Sequence, residues 1–493
     1  MCDGPGGPPP NVVEDDVKIR QLPEAEPSGE AVARAARSEA ARAGRDRRRA
    51  RGLVVIGIAG ALLLSACGSD DDDEATGEGE GDAAEAPEAP PTDTEATLRF
   101  WLNANDTPQP MVDAAIAEFN ETYPNVTVNL ERQQWDGLVE RLTNVLPTED
   151  GPDIFEVGNT QAQGFEAAGA MVDLTASKDD LGGDDLLDSL DEAGTYDGKF
   201  YGVPLYAGAR VVVYRTDLFE KSNLEIPTTL DEFIEAGKTL QADNADTPNF
   251  SGIYFPGRNW HAMLSFIWDA GGDIATQEDG EWVGQLSSDE SVEGLETVQD
   301  IMENANQAPA DTDDASDFVD FCNGEIGMLM APGWKPGQLL DPEQGCPDTM
   351  GDKIGAFALP GNSDAVAPVF LGGSNVAIST QSENPEVALE FLKVLAGEDF
   401  QTAYGENGLI PARKSLLDSV KAPADAASAV VQAAEAQAEA AAGKTRFVPA
   451  SENWAEVEGQ EILQDMGTAI GGGADVKEEA ERADAAIEEI LNG

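Results

Sequence analysis

The sequence predicts an α/β fold with a largely parallel sheet, in a folded body that begins at Thr97. The main support is the pattern of apolar residues, which alternate as in a strand, then recur at helical spacing, and repeat this order up to Val157. Length is the second support, because the 398 residues from 96 to 493 can form two or three lobes with sizeable hydrophobic cores.

An export signal precedes this body. Residues 1–51 are rich in Pro, Gly, Ala and Arg, and we expect them to be disordered, either as a cytoplasmic extension ending in a basic signal n-region or as sequence upstream of the true start. Residues 52–66 open with an apolar run too short to span about 30 Å of hydrocarbon, which is typical of a signal h-region.

The signal ends in Leu64-Ser65-Ala66-Cys67, which resembles the bacterial lipobox. The resemblance implies that the chain is cut before Cys67, that Cys67 is acylated, and that the protein is anchored by lipid to the outer face of the cell membrane. An uncut membrane helix ending in a free thiol is the alternative. Residues 67–95 contain no large apolar side chain, so the lipidated cysteine is expected to lead into a disordered acidic linker.

Charge and cysteine content limit the partners and the compartment. The chain has 94 acidic and 30 basic residues, and its net charge of −64 repels nucleic acid and anionic lipid. The acids are spread along the chain and lack calcium-loop spacing, which favours a solubility adaptation, such as to high salt, over cation storage. In an oxidising compartment Cys322 and Cys346 are expected to form a disulfide, although two buried thiols remain open.

The body starts with a strand, Thr97–Trp101, and a polar loop. The elements that follow are a helix marked by Val112, Ile116, Phe119 and Tyr123, a strand at Val126–Leu130, a helix marked by Trp135, Leu138, Val139, Leu142 and Val145, and a strand at Asp153–Val157. Ligands of such sheets bind past the carboxyl ends of the strands. We therefore expect Asn103, Asn105, Asn159 and Gln161 at the mouth of a binding site, and Trp101 in the core.

Short motifs in a fixed order carry a family resemblance. They are Asp150–Gln161, Gly164–Leu174, Tyr201–Tyr206, Val211–Phe219, Pro227–Phe233, Ala270–Asp273, Met330–Trp334, Leu371–Ser379 and Asn384–Leu392. Together, behind a lipobox, they resemble the sugar-binding proteins of bacterial ABC importers, of the maltose-binding-protein type, from Thr97 to the C-terminus.

The resemblance implies a two-lobed periplasmic-binding-protein fold, in which each lobe is a mixed, mostly parallel sheet flanked by helices and the ligand cleft lies between the lobes. Lobe 1 would comprise residues 96–208 and 367–410, and lobe 2 residues 209–366 and 411–493. A hinge motion would close the lobes on the ligand. The Ala-rich stretch 422–443 would be a long helix of lobe 2.

Aromatic residues are the first candidate ligand contacts, because sugar C–H faces pack on rings. By the family pattern Trp334 and Trp454 match stacking tryptophans, and Trp260 with His261 lies near a stacking aromatic. Each of them could instead be a core or surface aromatic.

Polar residues complete the predicted site, because sugar hydroxyls need paired donors and acceptors. Asn159 and Gln161 stand where many family members have charged or aromatic residues. The other polar candidates are Tyr206, Arg210, Ser374 and Arg413. Arg210 and Arg413 could equally be ion-pair partners, and Ser374 could belong to a structural turn after two glycines.

We therefore predict a substrate-binding lipoprotein, acting as a monomer, that captures a sugar and delivers it to the transmembrane subunits of an ABC permease. The motif at Val157–Gln161 and the one at Asn453–Glu458 lean towards N-acetylglucosamine or chitobiose, with maltose, trehalose and other oligosaccharides open. The alternatives are a binding protein for a peptide or metal and an exported carbohydrate-active enzyme. His261 is the only histidine and no P-loop or Gly-x-Ser-x-Gly occurs, so we expect no catalytic residue, cofactor or metal site.

Overall fold

A computed structural model describes residues 88–493 except 105, 314–316, 343–344, 347, 363–365 and 425, and leaves out the side chains of 348 and 349. The predicted signal, Cys67 and most of the linker lie outside the described residues. Within the described part of the chain, no helix is both long and apolar enough to cross a bilayer.

Sixteen strands and sixteen α-helices are described. The strands are β1 (Ala96–Asn103), β2 (Val126–Gln133), β3 (Ile154–Gly158), β4 (Thr195–Tyr196), β5 (Lys199–Phe200), β6 (Val203–Gly208), β7 (Arg210–Arg215), β8 (Ser251–Tyr254), β9 (Ala275–Glu278), β10 (Glu281–Gly284), β11 (Ile326–Pro332), β12 (Ile354–Phe357), β13 (Val369–Phe370), β14 (Gly372–Ile378), β15 (Ile410–Pro411) and β16 (Thr445–Arg446). The helices are α1 (Gln109–Thr122), α2 (Leu138–Val145), α3 (Asn159–Ala167), α4 (Asp188–Ala193), α5 (Thr216–Ser222), α6 (Leu230–Asp243), α7 (Trp260–Asp269), α8 (Asp289–Asn304), α9 (Asp317–Asn323), α10 (Lys335–Leu339), α11 (Pro385–Leu395), α12 (Glu398–Glu406), α13 (Ser428–Ala442), α14 (Trp454–Gly459), α15 (Ile462–Gly471) and α16 (Val476–Leu491).

A six-stranded sheet forms the first lobe, which we call the six-stranded lobe. Its strand order is β15-β6-β14-β3-β1-β2. β1 pairs in parallel with β2 and β3, while β14 runs antiparallel to β3 and β6. In the pairing register Asn103 lies beside Gln133, and Ser374 lies beside Gly158. The carboxyl ends of the three parallel strands therefore meet at one edge of the sheet.

A four-stranded sheet in the order β12-β7-β11-β8 forms the second lobe, the four-stranded lobe. Only β8 and β11 are parallel, and β7 is antiparallel to both β11 and β12. Both sheets are thus mixed, as predicted, but parallel pairs are fewer than the βαβ pattern indicated. The reason is that the strands near the crossings, β6, β7 and β14, return through the sheets in the opposite direction.

Each sheet has hydrophobic cores on two faces because its strand residues alternate. In β3, Ile154 packs into one core of the six-stranded lobe and Phe155 into the other. In β7, Val212 and Val213 divide in the same way between the two cores of the four-stranded lobe. Helix α13 joins cores of both lobes: its early alanines pack in the four-stranded lobe and its last turn packs in the six-stranded lobe.

The predicted elements of the first lobe are present with shifted ends. The second helix begins at Leu138, not at Trp135, because Gly137 precedes it in the left-handed region with φ of 66°. This leaves Trp135 in the loop before the helix. The Ala-rich helix spans Ser428–Ala442, shorter than the predicted stretch 422–443.

Cys322 and Cys346 form a disulfide, with their Cα atoms 5.0 Å apart. The bond ties α9 to the segment after α10. It closes a loop that contains β11 and the turn that carries Trp334.

Candidate ligand-binding site

A cavity of about 330 Å³ lies between the two lobes. The six-stranded lobe contributes Trp135 and the residues Gly158 to Gln161, at the carboxyl end of β3 and the start of α3. The four-stranded lobe contributes Trp260, His261, Glu458 and Gln464, and Phe370, Gly372 and Gly373 complete the lining. The predicted switch-point location, past the parallel strands, therefore coincides with an interlobe cleft.

Three neighbouring rings form an aromatic wall, which we define as Trp260, His261 and Phe370. The Trp260 and His261 ring centroids are 3.8 Å apart with an interplanar angle of 27°, and His261 lies 5.5 Å from Phe370. Burial, together with the positive charge of Arg210, lowers the pKa of His261 well below its ordinary value, so the imidazole is neutral at pH 7. The wall is thus an uncharged surface of the kind that packs on C–H groups.

Trp135 lines the cavity on the other side and is 36% exposed. Its indole Nε1 donates to Asp106 Oδ2 at 2.7 Å, and the Tyr206 hydroxyl donates to the same oxygen at 3.1 Å. Sequence reasoning missed Trp135 because it matched the helical spacing, although Gly137 two residues later was a signal that the helix starts after it. Phe370 was missed as well, since it stands in an apolar run without a distinguishing signal.

Polar groups at the start of α3 face the same cavity. Asn159 and Gln161 both line it, as predicted from the strand ends. Asn159 is 3% exposed and its Nδ2 donates to the Leu371 carbonyl at 2.8 Å, so its amide is oriented by β14 rather than free in solvent. Gln161 is only half-buried.

Glu458 brings a carboxylate to the cleft from α14. The Trp454 Nε1 donates to its Oε1 at 2.8 Å, and Thr160 of the six-stranded lobe lies close enough to affect its charge. Burial raises the pKa of Glu458 and outweighs the lowering effects of Trp454 and Thr160. Trp454 itself is 1% exposed and packs in a core of the four-stranded lobe, with its ring 6.4 Å from Trp260. Trp454 therefore supports the wall from behind and does not line the cavity, unlike the stacking tryptophan expected from the sequence.

Asn103 and Ser374 meet at a buried carboxyl group, Glu156, beneath the cleft. The Asn103 backbone N–H donates to Glu156 Oε2 at 2.6 Å, and the Ser374 hydroxyl donates to Oε1 at 2.5 Å. All three residues are 1% exposed. Burial raises the pKa of Glu156 to about 7, against the lowering effect of both hydrogen bonds. The Asn103 Oδ1 has no hydrogen-bond partner among the described residues.

Of the two glycines before Ser374, Gly373 has a structural requirement. A Cβ at Gly373 would lie 2.1 Å from the Tyr206 carbonyl oxygen, so this position needs glycine for the close pairing of β14 with β6. Gly372 and Gly373 also line the cleft cavity.

The remaining predicted residues divide between the cleft region and other parts of the fold. Trp334 is 57% exposed, and its ring lies against Gly208 at the end of β6. Arg210 lies close enough to His261 to affect its charge and donates to the Met330 carbonyl at 3.4 Å. Arg413 pairs with Leu186 in an isolated β-bridge and does not line the cavity.

Two further predicted residues are Asn105 and Trp101. Asn105 lies outside the described residues. Trp101 is 9% exposed and donates to Glu131 at 3.0 Å, which agrees with the expected core position. Within the described ranges, no group of three or more His, Cys, Asp or Glu side chains could hold a metal ion.

Known proteins with similar sequences point to one family. The family model described as bacterial extracellular solute-binding protein matches residues 104–402. The diacetylchitobiose binding protein DasA of Streptomyces coelicolor is 30% identical and aligns with 82% of this chain and 90% of its own length. The arabinooligosaccharide-binding protein of Halalkalibacterium halodurans is 25% identical over 60% of this chain and 66% of that protein.

Solved structures show the same fold. The sugar-binding protein MalE from Xanthomonas citri superposes with a TM-score of 0.66 at 19% identity, covering 80% of this chain and 97% of that protein. The GacH receptor of Streptomyces glaucescens gives a TM-score of 0.64 at 19% identity, covering 81% and 99%. The two mixed sheets, the cleft between them and these matches establish that the chain belongs to the bacterial extracellular solute-binding protein family, whose members are binding proteins and not enzymes.

Proposed function

We propose that this protein captures a di- or oligosaccharide in the interlobe cleft and delivers it to the transmembrane subunits of an ABC importer. The observation that carries the proposal is the pair of aromatic surfaces in one cavity, Trp135 on one side and the aromatic wall on the other. A pyranose ring has apolar C–H faces and a polar rim. Rings on two sides with amides between them match that shape.

The polar groups of the cavity suit a neutral ligand. Asn159 and Gln161 offer both donors and acceptors, and His261 is neutral at pH 7. Glu458 can accept from a hydroxyl or an amide N–H. A metal ion would instead require clustered ligands, and the described residues hold no group of three or more His, Cys, Asp or Glu side chains that could bind one.

Within the sugars, we favour an N-acetylglucosamine or chitobiose type of ligand. An N-acetyl group needs an acceptor for its N–H and an apolar contact for its methyl group. Glu458 and the neighbouring Trp260 provide these two kinds of contact in the same cavity. The relative at 30% identity is a diacetylchitobiose binding protein, which supports the same choice.

Capture would occur by hinge closure of lobes divided as residues 96–208 with 367–410 and 209–366 with 411–493. Contacts between the two sides support such a motion, since Thr160 lies close to Glu458 and the Tyr196 hydroxyl donates to Glu452. Lipidation at Cys67 would hold a monomeric protein at the outer face of the membrane, beside its permease. Mass spectrometry of the mature N-terminus, with Cys67→Ser as the control, tests this anchor.

Calorimetric titration tests the binding proposal. The full chain is titrated with N,N′-diacetylchitobiose, maltose and a tripeptide, and the mixture is analysed for products after long incubation. We expect saturable binding of diacetylchitobiose with the sugar recovered intact. Tighter binding of maltose would move the ligand class to glucans, and binding of the peptide alone would refute sugar capture.

A further inference from the structure

The side chain of Gln437 lies where three segments of the chain meet. Its Oε1 accepts from the Ala209 backbone N–H at 3.2 Å, and its Nε2 donates to the Gly408 carbonyl at 3.0 Å. Ala209 is the single residue between β6 of the six-stranded lobe and β7 of the four-stranded lobe. Gly408 precedes β15, an edge strand of the six-stranded sheet.

Gln437 also packs on the turn that carries Trp334. A Cβ at Gly333 would lie 1.9 Å from the Gln437 Cδ atom, so the amide occupies the space that any side chain at 333 would need. The Gly333 N–H donates to the Ala209 carbonyl at 3.0 Å. Ala209, the residue at the crossing, is therefore held at both of its backbone groups. Its N–H donates to Gln437, and its carbonyl accepts from the turn that carries Trp334.

The position of Gln437 along α13 places these hydrogen bonds at the boundary between the two lobes. Ala429, Ala433 and Ala436 pack in the four-stranded lobe, while Ala440 and Ala441 pack in the six-stranded lobe. Gln437 falls at the change from one core to the other and is 2% exposed. A rotation of the lobes about the crossing at Ala209 must stretch or reorient its hydrogen bonds.

We propose that Gln437 is a positioning residue that restrains the angle between the lobes and couples it to the Trp334 turn. Buried amide bonds cost free energy to leave unmade, so both of its bonds favour one arrangement of the crossing over others. Their loss widens the range of interlobe angles in the free protein. The inference rests on the proposed function only for its effect on sugar affinity.

Gln432 on the same helix provides a matched control. Its Oε1 accepts from the Ala356 backbone N–H at 3.0 Å, a bond that lies within the four-stranded lobe. Gln432→Met and Gln437→Met each remove a glutamine that bonds a backbone N–H and keep similar side-chain volume. Only Gln437→Met acts at the crossing.

The test measures distances between lobes by double electron–electron resonance of spin labels. Labels are placed at Glu121→Cys on α1 and Glu303→Cys on α8, two exposed positions on opposite lobes. The full chain carries Cys2→Ser and Cys67→Ser throughout, so the only other cysteines are those in the disulfide. Distances are recorded without sugar and after addition of N,N′-diacetylchitobiose.

We expect Gln437→Met to widen the distance distribution of the sugar-free protein, and Gln432→Met to leave it as in the unmodified protein. Where Gln437→Met does not fold, Gln437→Glu keeps the acceptor for Ala209 and loses the donor to Gly408, and a smaller widening is expected. Equal widths in all proteins, or equal widening in both glutamine variants, would overturn the inference.

The measurements with diacetylchitobiose separate this inference from the proposed function. If diacetylchitobiose binds, its affinity is expected to fall at least about threefold in Gln437→Met, because a smaller share of molecules has the competent lobe angle. A wider distance distribution in Gln437→Met, with no binding of diacetylchitobiose to any of the proteins, would support the restraint of the lobe angle and refute the choice of ligand. An unchanged affinity alongside a widened distribution would contradict the expected link between the lobe angle and sugar capture.

Discussion

The buried carboxyl group of Glu156 predicts a specific dependence of stability on pH. Its pKa is raised to about 7 from an ordinary value of 4.5, with burial as the main cause. The folded protein therefore holds this proton more tightly than the unfolded chain does. Protonated Glu156 contributes to stability fully below about pH 4.5, and the contribution is lost as the pH rises through about 7.

The size of the effect follows from the shift. Raising the pKa from 4.5 to about 7 amounts to about 3 kcal/mol of unfolding free energy when Glu156 is fully ionised. Glu156→Gln removes the ionisation and keeps the hydrogen bonds. The amide oxygen can accept from the Asn103 N–H, and the amide N–H₂ can donate to the Ser374 hydroxyl.

The assay is equilibrium unfolding in urea at pH 5.5 and pH 8.5. We expect Glu156→Gln to exceed the unmodified protein by about 1 kcal/mol at pH 5.5, where the unfolded carboxyl is already ionised, and by about 3 kcal/mol at pH 8.5. Glu118→Gln on the exposed face of α1 is the control, since it removes one negative charge from the surface. A stability difference for Glu156→Gln that is the same at both pH values would refute the reasoning, as would an equal gain in the control.

Three further predictions concern the cleft and the disulfide. Trp135→Ala should weaken binding of diacetylchitobiose by about tenfold, or about 1.4 kcal/mol, in a calorimetric titration. An equal loss in Trp282→Ala, on the β9–β10 hairpin, would contradict a cleft role. Trp334→Ala should also weaken binding at least about tenfold, while its melting temperature stays close to that of the unmodified protein because the ring is 57% exposed; unchanged affinity in fluorescence titration would remove it from the site. The double variant Cys322→Ser, Cys346→Ser should lower the free energy of unfolding by about 3 kcal/mol, because the disulfide closes a loop with a sequence separation of 24. An unchanged melting temperature in scanning calorimetry would exclude that contribution.

The fold could be predicted from the sequence because apolar spacing fixes local structure. The period-2 and helical patterns before Val157 correspond to β1, α1, β2, α2 and β3. The antiparallel entry of β14 between β3 and β6 could not be derived in this way, because pairing between strands far apart in sequence leaves no local pattern.

The candidate site was predictable where residues follow strand ends. Asn159 and Gln161 line the cavity for that reason. Burial was harder to predict: Ser374 bonds Glu156 and Trp454 packs near Trp260, and both partners come from distant segments. For Trp135 the error was in the opposite direction. Its helical spacing predicted a place on the buried face of a helix, but the helix begins only after Gly137.

The contact between Gly333 and Gln437 also constrains how this sequence can change over evolutionary time. A side chain at 333 would collide with an amide that two hydrogen bonds hold in place, so a lone substitution of Gly333 would be selected against. A smaller residue at 437 would remove that obstacle. Among homologues the two positions should therefore vary as a pair, with glycine retained at 333 wherever glutamine stands at 437, and with freedom at 333 only after 437 has become small.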